Sequence, residues 1–121
     1  MAIDFDIEDR RVREGIHVVA VAGEIDLFTA PEFKQRMAKP IEDGVDRLVV
    51  DLTATTFIDS SSLGVLIGAH RRLKQRKGSL VVVCDNDTIV KTFKITGLDG
   101  VFTLVPSLDD ALDGDAVGAG P

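Results

Sequence analysis

The chain has 121 residues, 45% hydrophobic and 28% charged, the balance of one globular domain with its own core. A formal charge of −6 and the absence of Trp and Tyr argue against direct DNA binding, because nucleic-acid domains are usually basic and often stack bases on aromatic rings. One cysteine and two histidines exclude an internal disulfide and a four-ligand zinc site, so no metal or cofactor is expected.

The acidic start and the lack of any apolar run near the roughly 18 residues of a membrane helix predict a cytoplasmic protein with no membrane association. The charge itself is uneven: Asp4, Asp6, Glu8 and Asp9 give the first nine residues −4, Asp109, Asp110, Asp113 and Asp115 give residues 106–121 another −4, and the body is left at +2. Five of the bases (Arg71, Arg72, Lys74, Arg76, Lys77) form one run, which reads as a solvated helix end where cations suit the negative pole of the dipole.

In chain order, Ile3, Phe5 and Ile7 alternate with acids, and Ile16 to Ala22 is an apolar run closed by Gly23. Two strands joined by a turn near Glu14-Gly15 follow. Thr29 with Glu32 has the spacing of a capping box, with Pro31 in the first turn, so a helix starts there. Phe33, Met37 and Ile41 share its buried face, and Pro40 predicts a kink or an end near Lys39. Leu48 to Leu52 reads as a buried strand.

The cluster Asp59-Ser60-Ser61-Ser62 then precedes a helical stripe of Leu63, Leu66, Ile67 and His70, ended by Gly78. Leu80 to Cys84 is the next strand. Asp85 or Asn86 caps a third helix carrying Ile89, Val90 and Phe93 and stopped at Gly97, Val101 to Val105 is the last strand, and Ser107 opens a short helix through Leu112. The order β, β, α, β, α, β, α, β, α predicts an α/β fold: a mixed, mostly parallel sheet of about five strands with helices packed on it. The domain is expected at 1–112 and a flexible tail at 113–121.

No phosphate loop, dinucleotide-binding glycine motif, nucleophile elbow or zinc-protease motif is present. His17 and His70 fall on apolar elements and Cys84 ends an apolar strand, so none reads as catalytic, and the protein is expected not to be an enzyme. The remaining candidate is the Asp59 to Gly64 junction, at the carboxyl end of a strand, where open α/β sheets carry function. Its residues are also those any helix start uses to satisfy free N–H groups. Gly64 and Gly68, four apart, leave a flat backbone surface, which reads equally as a partner's approach or as loose packing.

Gly23-Glu24-Ile25-Asp26 with Thr29-Ala30-Pro31, then Val49-Val50-Asp51-Leu52, then Phe57-Ile58-Asp59-Ser60-Ser61-Ser62-Leu63-Gly64-Val65-Leu66, and later Phe93 to Leu98 with Val101-Phe102, carry a resemblance. From about residue 3 to residue 112 the chain resembles the bacterial anti-anti-sigma factors (anti-sigma factor antagonists), stand-alone STAS domains, and in particular their actinobacterial members. The resemblance implies a STAS fold and a partner switch. The unphosphorylated antagonist binds an anti-sigma factor, often itself a serine kinase of GHKL type, and so releases the sigma factor. Phosphorylation reverses this, and a PP2C-type phosphatase resets it.

The implied phospho-acceptor is Ser60, immediately after the motif aspartate Asp59, and Asp26 matches an acidic residue beside that site. The implied partner surface comprises Asp26, Thr29, Asp59, Ser61, Ser62, Gly64 and Gly68. One departure stands out: Ser62 occupies the usual glycine of the motif. Two alternatives compete with this expectation. A receiver-like domain would need an adjacent acidic pair for Mg²⁺, whereas Glu24 and Asp26 lie two apart; a STAS module could also sense a ligand or act as a scaffold without phospho-switching.

Overall fold

A computed structural model describes residues 5–113. Strand β1 (Asp6–Arg13) pairs antiparallel with β2 (Ile16–Ile25), and β3 (Arg47–Ile58), β4 (Ser79–Val83) and β5 (Thr103–Val105) follow in parallel, in spatial order β1-β2-β3-β4-β5. The crossovers carry α1 (Ala30–Glu42), α2 (Ser60–Lys74) and α3 (Asp87–Ile95), and α4 (Leu108–Leu112) closes the described chain. The expected mixed, mostly parallel five-stranded sheet is therefore present. Ile3 and the tail beyond Asp113 lie outside the described residues.

Alternation along the strands divides the core in two. Val19, Val21, Leu48, Val50, Leu52, Leu80 and Val82 face α1, α2 and α3, whose inward residues include Phe33, Met37, Leu66, Leu73, Ile89 and Phe93. Val18, Val49, Val81 and Val83 point the other way and are covered by Ala111 of α4. Arg13 and Arg47 donate to the carbonyls of Leu112 and Ala111, which pins that short helix by its free C-terminal acceptors.

Four expectations need correction. β1 is displaced toward Arg13, because an edge strand with one exposed face tolerates the charged run Glu8 to Arg11. β3 continues through the β-branched Thr53, Thr55 and Thr56, which suit a strand, and reaches Ile58 beside Ile25. Pro40 lies inside α1, which runs on to Glu42; so near the helix end little of the hydrogen-bond ladder is left to lose, Pro40 and Ile41 are buried, and Arg76 donates to the Ile41 carbonyl. The chain after α2 turns left-handed at Lys77 rather than Gly78, which is buried where a Cβ would lie 3.1 Å from the Asp46 carbonyl oxygen.

Candidate functional site

β2 and β3 end side by side, with Ile25 paired to Ile58, so the loops that follow them start as neighbours. After Ile58 the backbone of Asp59 stays extended (φ −134°, ψ −171°) and its carboxylate accepts from the amides of Ser61 at 2.9 Å and Ser62 at 3.1 Å. The amide of Asp59 donates to the Ser62 hydroxyl at 3.2 Å, which completes a reciprocal capping box. These bonds hold the first turn of α2 rigid, with Ser60 at its head.

Ser60 is exposed, and its hydroxyl makes no hydrogen bond among the described residues. It sits at the positive end of the α2 dipole, next to a carboxylate that already occupies two of the turn's N–H groups. Ser61 is half-buried. Ser62 is 0% exposed and donates its hydroxyl hydrogen to the carbonyl of Ile25.

The expected partner contact through Ser62 is thus corrected: its side chain points into the protein and joins the two loops. A small residue is required at this motif position because the site faces the Ile25 carbonyl, and serine adds a hydrogen bond there that glycine lacks.

The neighbouring loop, residues 26–29, is organised by Asp26. Its carboxylate accepts from the amides of Phe28 at 2.9 Å and Thr29 at 3.1 Å, and its own amide donates to the Thr29 hydroxyl at 2.8 Å. The Thr29 amide foremost, with that of Phe28, holds the Asp26 carboxyl below the usual carboxylate range against a desolvation effect of opposite sign. The expected capping box between Thr29 and Glu32 is absent. Thr29 takes helical backbone angles and its hydroxyl is turned to the Glu24 carbonyl at 3.1 Å and to Asp26, while Glu32 lies 3.9 Å from Arg36.

The structure thus brings Asp26, Thr29, Asp59, Ser60, Ser61 and Ser62 to one end of the sheet. Gly64 and Gly68 lie one and two turns further along α2, exposed, in the wall of a groove against α1. Three residues escaped the sequence reading. Leu27 and Phe28, 69% and 87% exposed, stand beside Asp26, and Phe57 is 45% exposed just before Ile58. An apolar pair inside an acidic loop, between Asp26 and Thr29, was the available signal. Among the described residues, no cluster of His, Cys, Asp and Glu is able to hold a metal, and no helix is long and apolar enough to cross a membrane.

A five-stranded mixed sheet with a serine-headed helix at the carboxyl ends of its parallel strands defines a class, and comparison with known proteins gives it a family. The STAS domain model matches residues 9–111, and the chain belongs to the STAS family. It is 36% identical over 106 residues to the anti-sigma-B factor antagonist of Listeria monocytogenes, covering 86% of this chain and 90% of the relative. It is 33% identical over 86 residues to that of Bacillus subtilis, covering 71% and 78%.

Among solved structures, an anti-sigma factor antagonist from Mycobacterium paratuberculosis superposes with a TM-score of 0.82 at 35% identity, covering 90% of this chain and 92% of that one. The antagonist SpoIIAA in its unphosphorylated form shares the fold, with a TM-score of 0.71 at 20% identity and coverage of 95% and 99%.

Proposed function

We propose that this protein is an anti-sigma factor antagonist: a cytoplasmic regulatory binding module, not an enzyme, whose unphosphorylated form captures an anti-sigma factor and thereby frees a sigma factor. Ser60 is the switch. The anti-sigma factor is read as a GHKL-type serine kinase that phosphorylates Ser60, and a PP2C-type phosphatase as the enzyme that restores it. The observation that carries this reading is the exposed, unpartnered hydroxyl of Ser60 at the head of a rigid helix turn, beside Asp59 and the Asp26 loop.

A phosphate on Ser60 adds about −1.5 to −2 charges. Set beside Asp59 and the Asp26 loop, it concentrates like charge at the head of α2, a repulsion that water screens while the site is exposed. The fold absorbs this easily because Ser60 is exposed and the helix start favours anions. An interface that seats Phe28 and Leu27 against an apolar surface and closes over Asp59 cannot spread the added charge into water. Asp26 stays ionised and keeps residues 27 and 28 presented outward.

Incubation with ATP and the cognate kinase, followed by mass spectrometry of the helix α2 peptide, tests the site. Phosphate is expected on Ser60 and absent from the Ser60→Ala variant. Labelling of Ser61, or undiminished labelling of Ser60→Ala, contradicts the assignment.

A further inference from the structure

Between α1 and α2, on the side away from the sheet, runs a groove of about 460 Å³. Its floor is apolar, made by the buried residues Met37, Ile41 and Ala69. One wall is the backbone of α2 at Gly64 and Gly68, both exposed. The rim carries Lys34 from α1 and Arg71 and Arg72 from α2, all exposed.

The two glycines are the unexplained feature. Glycine lowers the stability of a helix interior, yet neither position has positive φ, and a Cβ built at either would meet no atom within 4 Å. Among the described residues, no steric or conformational demand requires them. What they do is strip the ridge of side chains, so that the backbone of another helix is free to approach. The charge on the rim gives that helix its chemistry. Lys34 and Arg71 have no ionic partner among the described residues, and Arg72 meets only Glu42, at 3.8 Å near the far end of α1. This basic face belongs to a chain whose net charge is −6.

We infer that the α1–α2 groove is a docking site for an acidic amphipathic helix of a partner protein, which lays its apolar stripe on Met37, Ile41 and Ala69 and its carboxylates on Lys34, Arg71 and Arg72. From Gly64 to Arg72 the α2 wall is about 12 Å long, two turns of a seated helix. The groove is open to solvent along the glycine ridge, which suits a helix better than an enclosed small ligand. Gly64 and Gly68 also belong to the partner surface that the family resemblance implies, but occupancy of the groove does not require phosphorylation of Ser60.

The test titrates the ¹⁵N-labelled full chain with a hydrocarbon-stapled peptide of about 14 residues, four turns of helix, bearing a Leu/Ala stripe flanked by glutamates. Amide shifts are expected to concentrate at residues 34–41 and 64–72. Replacing the flanking glutamates by lysines, or introducing Arg71→Glu with Lys34→Glu, is expected to weaken binding by about tenfold or more. Gly68→Leu fills the groove at a position with room for a side chain and is expected to abolish binding without lowering the melting temperature. Absent shifts, shifts mapping elsewhere, or equal binding of the lysine-flanked peptide overturn the proposal. So does a groove that answers to decanoate but not to the acidic peptide, because it would then be an acyl-chain site.

Discussion

The hydroxyl of Ser62 donates to the main-chain carbonyl of Ile25 and accepts from the amide of Asp59, so one buried side chain fastens the start of α2 to the end of β2. The two loops that carry Ser60 and Asp26 are held in register by that bond and by the pairing of Ile25 with Ile58. Site geometry therefore depends on a fully buried residue.

Ser62→Ala leaves a buried carbonyl and a buried-side amide without their hydroxyl partner, a loss of about 1–3 kcal/mol. Urea denaturation is expected to show a lower midpoint with an unchanged slope. Amide exchange at Asp26 to Thr29 should quicken as well, since the tie to that loop is gone. An unchanged midpoint contradicts the role given to Ser62.

Gly64→Ala and Gly68→Ala place a methyl group in open space on a helix surface. Each is expected to raise stability by about 1 kcal/mol, about 4 °C in melting temperature for a domain of this size. Calorimetry of the single and double variants checks this, and a fall in melting temperature shows that the glycines serve internal packing after all.

His70 is half-buried, its ring edge-on to Phe102 at 5.5 Å and its Nδ1 without a hydrogen-bond partner. Desolvation, with Lys74 nearby as a lesser cause, pushes its pKa down. The unfolded chain then takes up a proton near the ordinary histidine value of about 6.5, while the folded chain does so only at lower pH. In that window the unfolded state binds more protons, so stability falls as pH drops from neutral. Denaturation midpoints of His70→Leu at pH 7 and pH 5 are expected to differ less than those of the parent chain.

Asp9 and Asp26, like His70, favour their deprotonated forms in the folded chain, and they add to the acid limb at lower pH. His17 foremost, through a 2.9 Å hydrogen bond, and Arg36 lower the Asp9 carboxyl, as the loop amides lower Asp26. Their contributions are complete above the unfolded carboxylate value and are lost as pH falls through the depressed folded values. A ¹³C titration of the carboxyl carbons is expected to place both midpoints below about 3.9, the ordinary aspartate value. A midpoint for Asp26 above that value contradicts the loop geometry.

Most of the fold was legible because it rests on periodicity: β2, β4, α2 and α3 announce themselves by apolar runs and stripes that tertiary packing then uses. The exceptions share a cause. β1 is an edge strand whose polar run has no buried alternation beyond Ile7, and its existence depends on β2. Pro40 and Thr29 were read by local rules that neighbours override, Arg76 capping the end of α1 and the Asp26 loop claiming the Thr29 hydroxyl.

At the candidate site, the position of Asp59 and Ser60 at the start of α2 was legible from capping chemistry, and that of Asp26 beside it from the motif resemblance. The inward direction of Ser62 was not, because it depends on how β2 and β3 end together. The exposure of Leu27 and Phe28 depends on the same tertiary arrangement.

The central claim is that one phosphate on Ser60 breaks a protein interface while sparing the fold. Isothermal titration of the cognate anti-sigma factor with the unphosphorylated and the stoichiometrically Ser60-phosphorylated chain measures it directly, with circular dichroism melts of both forms alongside. Burying the added charge in a closed interface predicts an affinity lower by about a hundredfold or more, with melting temperatures equal within a few degrees. Equal affinities of the two forms, or a phosphorylated chain that has lost its fold, contradict it.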